Sequence, residues 1–291
     1  MNYPKISLVT ACYNHRQYIA ETIESILSQN YPNLQYVVID DGSTDGSWEV
    51  IQKYQDRLYH CERLEGRRDN PTTALNRGFA KTDGEIMGWL NSDDLLLPKS
   101  LFVIAEIFSQ LPGVDWLTGM ATTINSESKL VNSQFKPKSI YDYLSLNWKT
   151  IQQESTFWRR ELWQKAGAKL NDTWAFDAEL WTRFFLLAEH YNVNAPLGAF
   201  RKGKTNASLQ NPTKYLTPVE ESLRLMKTKA GKKLNTSAAS YFLLRQIKPL
   251  LKLIPDRFFI KLPWLKKFSY QVISYSFAEQ CWKIKSTNPF K

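Results

Sequence analysis

Two pairs of adjacent carboxylates stand at the ends of apolar runs, where folding alone would not put them. "EIMGWLNSDDLLLP", residues 85–98, carries Asp93 and Asp94 between two stretches suited to burial, and "VVIDDGSTDGS" carries Asp40 and Asp41. A carboxylate without a partner is costly in apolar surroundings, and two together repel, so positive charge is expected beside them. In an extended segment Asn91 and Asp93 share a face, and the turn that ends the strand frees Asp94. Mg²⁺ and Mn²⁺ bind a few carboxylates together with phosphate oxygens and water, which this cluster is suited to supply. Helix capping near Pro98 is the competing reading, and it accounts for one carboxylate rather than two. In the earlier cluster, Asp40 is expected to face the packing and Asp41 the cleft, with Gly42 permitting a sharp turn. Asp41 is then placed to accept from a nucleobase N–H, with the ring of Tyr13 close by; a plain Asx turn is the alternative.

The elements that position these residues alternate between two periodicities. "KISLVTACY" is a short β-branched run and reads as a buried strand, while "QYIAETIESILSQNYPN" spaces Ile19, Ile23, Ile26 and Leu27 as one helix face, with Pro32 past its end. A strand "LQYVVIDD", a helix around Trp48, Ile51 and Tyr54, a strand near "RLYHCERL", a helix in "TTALNRGFAKTDGE" and the strand "IMGWL" follow, and Pro98 opens "KSLFVIAEIFSQL". This alternation predicts an α/β fold with a mostly parallel sheet and right-handed crossovers. Both acid pairs fall at carboxyl ends of strands, where such sheets bind ligands, and no G-x-G-x-x-G follows the first strand. Farther on, "VDWLTGMATTI" reads as one strand, "DAELWTRFFLLAEH" as a helix and residues 203–217 as a polar loop. From about residue 218 the chain reads as helical, basic and aromatic, broken by Pro249, Pro255 and Pro263.

Composition is that of a globular protein: 291 residues, 43% hydrophobic and 23% charged, which excludes disordered and fibrous classes. Three scattered cysteines offer neither a zinc pattern nor a disulfide framework. The N-terminal stretch lacks a basic leader and no run approaches a membrane span, so a cytoplasmic location is expected, free or peripheral at the inner face of the membrane. Charge is uneven. Residues 1–200 carry 19 basic and 24 acidic side chains, residues 201–291 carry 19 and 4, so the last third invites a polyanion or an anionic membrane surface, unless it is simply a solvated helix face.

The ordered set "ISLVTACYNHRQYIAETIESILSQNYPNLQYVVIDDGSTDGS", "ALNRGFAKTDGEIMGWLNSDDLLLP" and "FDAELWTRF" resembles the family 2 glycosyltransferases, inverting enzymes of the GT-A fold, over about the first two hundred residues. The resemblance implies transfer of a sugar from a nucleotide-diphospho-sugar, a UDP-sugar being favoured, to an acceptor hydroxyl, with Mn²⁺ or Mg²⁺ as cofactor. Carried over, the first-strand loop falls on Ala11 to Asn14 with Ala11 at the usual proline, the base-binding aspartate on Asp41, and the D-x-D region on Asn91, Ser92 and Asp93. Asn91 in place of Asp leaves Asp93 and Asp94 as the metal ligands and Asn91 as a ribose contact. The general base falls on Asp177, with Glu179 as its rival; the chemistry asks for a proton acceptor opposite the departing diphosphate. Arg67 and Arg68 suit phosphate oxygens, with Arg68 preferred. Gly203 stands where many relatives place a metal-binding His after an Arg, here Arg201, and Lys202 or Lys204 would supply positive charge instead.

These readings set the boundaries at 1–217 for a GT-A catalytic domain, divided into a nucleotide-sugar-binding segment (1–115) and an acceptor segment (116–217), and 218–291 for a basic helical extension. Of Trp148, Trp158, Trp163, Trp174 and Trp181, at most two are expected to touch sugar, since large aromatics usually build cores. "FFIKLPWLKKFSYQVISYSFAEQCWK" has the composition of an interfacial helix, which would set the site beside a lipid-linked or glycan acceptor in surface polysaccharide synthesis. A non-catalytic nucleotide-sugar binder is one rival. Nucleic-acid binding by the tail is the other, and it is the less favoured partner.

Overall fold

The computed structural model describes residues 3–66, 70–145, 150–203 and 211–291. The first half alternates as its periodicity requires: β1 (Ile6–Cys12), α1 (Ile19–Leu27), β2 (Leu34–Asp40), α2 (Ser47–Gln52), β3 (His60–Arg63), α3 (Thr72–Phe79), β4 (Ile86–Trp89) and, after a two-residue β5 (Leu95–Leu96), α4 (Ser100–Gln110). Strands β3, β2, β1 and β4 pair in parallel. Helices cover both faces of these strands, which explains continuous apolar runs in place of alternation. Leu8 and Val38 face a core with α1 and α4. Val9 and Val37 face the other, with α3 and the tryptophans.

The second half departs from its sequence pattern. "VDWLTGMATTI" is two strands, β6 (Trp116–Thr118) and β7 (Ala121–Ile124), in different sheets. The break falls at Gly119, where a Cβ would lie 2.8 Å from Leu197 Cγ and 2.9 Å from the Ala195 carbonyl oxygen. Then come β8 (Leu130–Gln134), α5 (Ile140–Leu144), a 3₁₀ turn (Gln153–Ser155), β9 (Thr156–Arg159), α6 (Arg160–Lys165), α7 (Phe176–Leu187), β10 (His190–Val193) and β11 (Gly198–Arg201). Strand β9 runs antiparallel between β4 and β6. A small sheet, β5-β11-β7-β8, closes over the strand ends that carry Asp93 and Asp94.

The expected loop at 203–217 gives way at its end to a helix, α8 (Pro212–Gln246), with Pro212 in its first turn and a kink at Gly231, where φ is +73°. Residues 204–210, Lys204 among them, lie outside the described residues. Three four-residue helices follow, Lys248–Leu251, Asp256–Phe259 and Pro263–Lys266. The interfacial helix expected in "FFIKLPWLKKFSYQVISYSFAEQCWK" is not one helix. Its later portion forms a hairpin, β12 (Tyr270–Ser276) and β13 (Cys281–Thr287), and β12 joins β10 in parallel to complete the order β13-β12-β10-β6-β9-β4-β1-β2-β3. The β-branched and aromatic run "YQVISYS", with Tyr270, Val272 and Ile273 buried, is a strand signal that the surrounding basic content obscures. Asp142, buried on α5, ties this region in by accepting hydrogen bonds from Tyr241 (3.1 Å), Tyr270 (3.3 Å) and Arg245 (3.2 Å).

Candidate active site

Parallel strands bring their carboxyl ends to one edge, so the loops after β1, β2 and β4 meet there. The β1 and β2 loops are pinned to each other: Asn14 N–H donates to Ser43 Oγ (3.0 Å), Thr44 N–H to Asn14 Oδ1 (2.8 Å) and Asp41 N–H to the Cys12 carbonyl (2.8 Å). Gly42, at φ +78°, lets the chain turn where a Cβ would meet the Gly66 carbonyl carbon at 2.8 Å. Ala11 and Tyr13 are half-buried beside this junction. Asp40 is fully buried as expected, bonded to Ser43 N–H and paired with Arg63 at 3.4 Å. Asp41 is also buried, rather than open to the cleft. Arg67 and Arg68 lie outside the described residues.

After β4 the two acids divide. Asp94 is fully buried: its Oδ1 accepts the backbone N–H of Arg201 (2.8 Å) and its Oδ2 the side-chain amide of Asn91 (3.2 Å). Burial, and then the charges of Asp93 and Glu154, push its carboxyl well above the usual range. Asn91 therefore supports Asp94, in addition to the ribose role expected of it. Asp93 remains half-buried, with His15 and Arg201 near enough to offset some of its burial penalty. Arg201 supplies the positive charge the sequence demands. It is buried at the end of β11, donates Nε to the Asp93 carbonyl (2.6 Å), pairs with Glu21 (2.7 Å) and lies over the Tyr18 ring at 4.5 Å.

Asp177 sits in the first turn of α7, but the N-cap is Ala175. Its carboxylate accepts the hydroxyl of Tyr215, 3.1 Å from each oxygen. Burial raises its pKa, and hydrogen bonds from the Ala178 backbone and Tyr215 pull it partly back. Its rival Glu179 is occupied by Arg183 (2.8 Å) and Asn171 (2.9 Å). Trp158, Trp163 and Trp181 belong to the core, Trp174 carries Lys214 Nζ 3.9 Å from its ring, and Trp148 lies outside the described residues.

Sequence reasoning misses two residues here. Tyr215 falls in a stretch that reads as a loop. Glu154 lies in "IQQES", with no spacing signal to mark it. It is 2% exposed, and its Oε1 accepts no hydrogen bond from the described residues. Burial lifts its pKa to about 8, Lys138 opposes that rise, and the charges of Asp177 and Asp93 both reach it. One buried acid thus shares its surroundings with both the carboxylate after β4 and the one on α7.

Among the described residues no three His, Cys, Asp or Glu side chains form a ready metal cage. The donor set fits an ion that brings phosphate oxygens and water of its own: Asp93 offers a carboxylate, and Asp94 can add one by releasing Asn91.

The sequence profile described as "Glycosyl transferase family 2" matches residues 7–167, more than half of the chain. The chain belongs to glycosyl transferase family 2. Curated relatives include an uncharacterized glycosyltransferase, alr2836, of Nostoc sp. (strain PCC 7120), 33% identical over 43% of this chain and 41% of that protein. The putative teichuronic acid biosynthesis glycosyltransferase TuaG of Bacillus subtilis is 34% identical over 31% of this chain and 36% of its own length. The matched region thus spans about two-fifths of these family 2 relatives. Among solved structures, S. aureus TarS 1-349 in complex with UDP-GlcNAc superposes with a TM-score of 0.64 at 19% identity, over 82% of this chain and 71% of that one. The mannosyltransferase PcManGT of Pyrobaculum calidifontis, in complex with GDP-Man and Mn²⁺, gives 0.53 at 18% identity, over 86% and 82%. Both establish the shared GT-A fold.

Proposed function

We propose that this family 2 protein is an inverting glycosyltransferase that moves a sugar from a nucleotide-diphospho-sugar to an acceptor hydroxyl. The observation that carries the proposal is that buried Glu154 feels the charges of both Asp93, in the loop after β4, and Asp177, in the first turn of α7, so the two halves of the chain bring their acids to one neighbourhood. Inversion asks for two separated functions, one holding the departing diphosphate and one taking a proton from the opposite face. Asp177 receives the acceptor proton as its oxygen attacks the anomeric carbon, and the carbon–oxygen bond to the diphosphate breaks with its electron pair leaving on phosphate. Tyr215 fixes the carboxylate and favours its ionised form against the effect of burial. Asp41 and Tyr13 hold the base, and Arg68 is assigned to the phosphates. A divalent cation, Mn²⁺ or Mg²⁺, held by Asp93 with Asp94, would neutralise charge on the leaving group.

A uridine donor is favoured, supported by the UDP-GlcNAc bound to TarS, while PcManGT with GDP-Man makes guanosine the alternative. The relative named for teichuronic acid biosynthesis supports a surface-polymer or lipid-linked acceptor, reached at the inner face of the membrane. The test is a thermal-shift screen of nucleotide-sugars with and without Mn²⁺, followed by transfer assays on Asp177→Asn. A selective donor should raise the melting temperature. The variant should keep that shift and lose transfer by about 10²–10⁴-fold. Transfer equal to the parent's removes Asp177 from the role of base, and stabilisation without turnover by the parent favours a binding protein.

A further inference from the structure

Between Tyr241 and Phe268 the apolar side chains sort into two sets. Tyr241, Leu251, Phe259, Leu265 and Phe268 are buried and form a small core with Phe290. The second set points outward: Leu243 is 66% exposed, Leu250 66%, Leu253 77%, Phe258 49% and Trp264 55%. Exposed cations are interleaved with them, including Lys248, Lys252, Arg257 and Lys261. Residues 242–267 hold seven basic side chains and one acid, Asp256, which is paired with Lys291 at 2.9 Å. Leaving such large side chains in water while a folded core lies directly beneath them needs a partner to explain it.

We infer that the end of α8 and the three short helices after it form a docking surface for an anionic lipid bilayer. Charge chooses this occupant. A second copy applied to the same face would set cations against cations, and a nucleic acid would take the lysines but leave the leucines and Trp264 in water. A bilayer surface receives both, phosphate headgroups at the cations and acyl chains at the apolar tips. The elements suit a shallow seat: each short helix is four residues long, set off by Pro249, Pro255 and Pro263, and no helix among the described residues is long and apolar enough to cross. The segment that presents Tyr215 to Asp177 continues, past the break at Gly231, into this surface, so proposed site and surface are close in the chain.

The experiment is flotation of the full chain with vesicles of equal parts phosphatidylglycerol and phosphatidylcholine, against phosphatidylcholine alone, each at low and high salt. The parent should float with the anionic vesicles only and be released by salt. A Leu250→Ser/Leu253→Ser/Trp264→Ser variant, altered only at exposed positions, should melt with the parent and need at least about tenfold more lipid for half-binding. Lys248→Glu/Lys252→Glu/Lys261→Glu should fail similarly. Parent protein that stays with the unbound fraction overturns the inference, as does a serine variant that binds like the parent. A dimer abolished by the serine changes assigns the surface to a second copy instead. Oligonucleotide binding lost only in the charge-reversed variant, without vesicle binding, assigns it to nucleic acid.

Discussion

Asp177 and Tyr215 form a pair whose chemistry can be separated from donor binding. The tyrosine hydroxyl donates to the carboxylate and so favours its charged form, the form a proton acceptor needs. Tyr215→Phe removes that donor, so the carboxylate protonates more readily. The acid limb of the turnover–pH profile should move to higher pH, with turnover on that limb down about tenfold, the worth of a charge-assisted hydrogen bond of about 1.5 kcal/mol, and with donor affinity unchanged. A profile that keeps its limb would detach Tyr215 from the base. At this scale the sequence is legible where a residue's position follows from a strand end, as for Asp40, Asn91, Asp93 and Asp94, while Asp41 is buried where its pattern turns it to the cleft. Asp177 is reached only through the family resemblance. Tyr215 and Glu154 are not legible, because partnership across 38 residues and burial against distant strands leave no local pattern.

Turns and short elements decide whether these side chains meet. Gly42 carries the β2 loop past Gly66 at a left-handed φ, and both the angle and the close carbonyl exclude a side chain. Gly42→Ala should therefore cost about 2–3 kcal/mol, read as a lower denaturant midpoint at unchanged slope. Nucleotide affinity should fall with it, because Asp41 and the Ser43–Asn14 contact follow directly. The elements up to β4 follow from periodicity, since local spacing and tertiary burial agree. Elements after Gly113 are harder. Strand β9 is inserted antiparallel between neighbours distant in sequence, and β6 and β7 share one apolar run but serve two sheets. Such choices are made by what the strand meets, which a single run of residues does not encode.

Across the molecule two buried groups set opposing pH arms. Glu154 holds its proton to about pH 8 in the folded chain, against an ordinary value of 4.5 once unfolded. The native state therefore carries the extra proton between those values, and stability declines as pH rises through that window. His190, between Lys138 and Thr118, is held neutral, its pKa pushed by burial from 6.5 to about 3. Here the unfolded chain takes the extra proton, so stability declines as pH falls from 6.5 towards 3. Together they offset one another between pH 4.5 and 6.5, where stability is greatest, and it falls on either side. Asp94, also raised, adds to the alkaline arm, so Glu154→Gln should make that arm shallower and leave the acid arm as it was, measured as melting temperature against pH; an unchanged alkaline arm would mean Glu154 does not contribute to it.

The hairpin that closes the sheet beside β10 has a practical corollary for anyone who would trim the chain to its enzyme-like first three-quarters. Cutting at residue 217 would bare the backbone of β10 along its paired edge and strip Asp142 of Tyr241, Arg245 and Tyr270 in one stroke. An open strand edge beside an orphaned interior acid favours sticking to other molecules over staying folded. The basic last quarter is thus a structural keystone rather than a detachable handle.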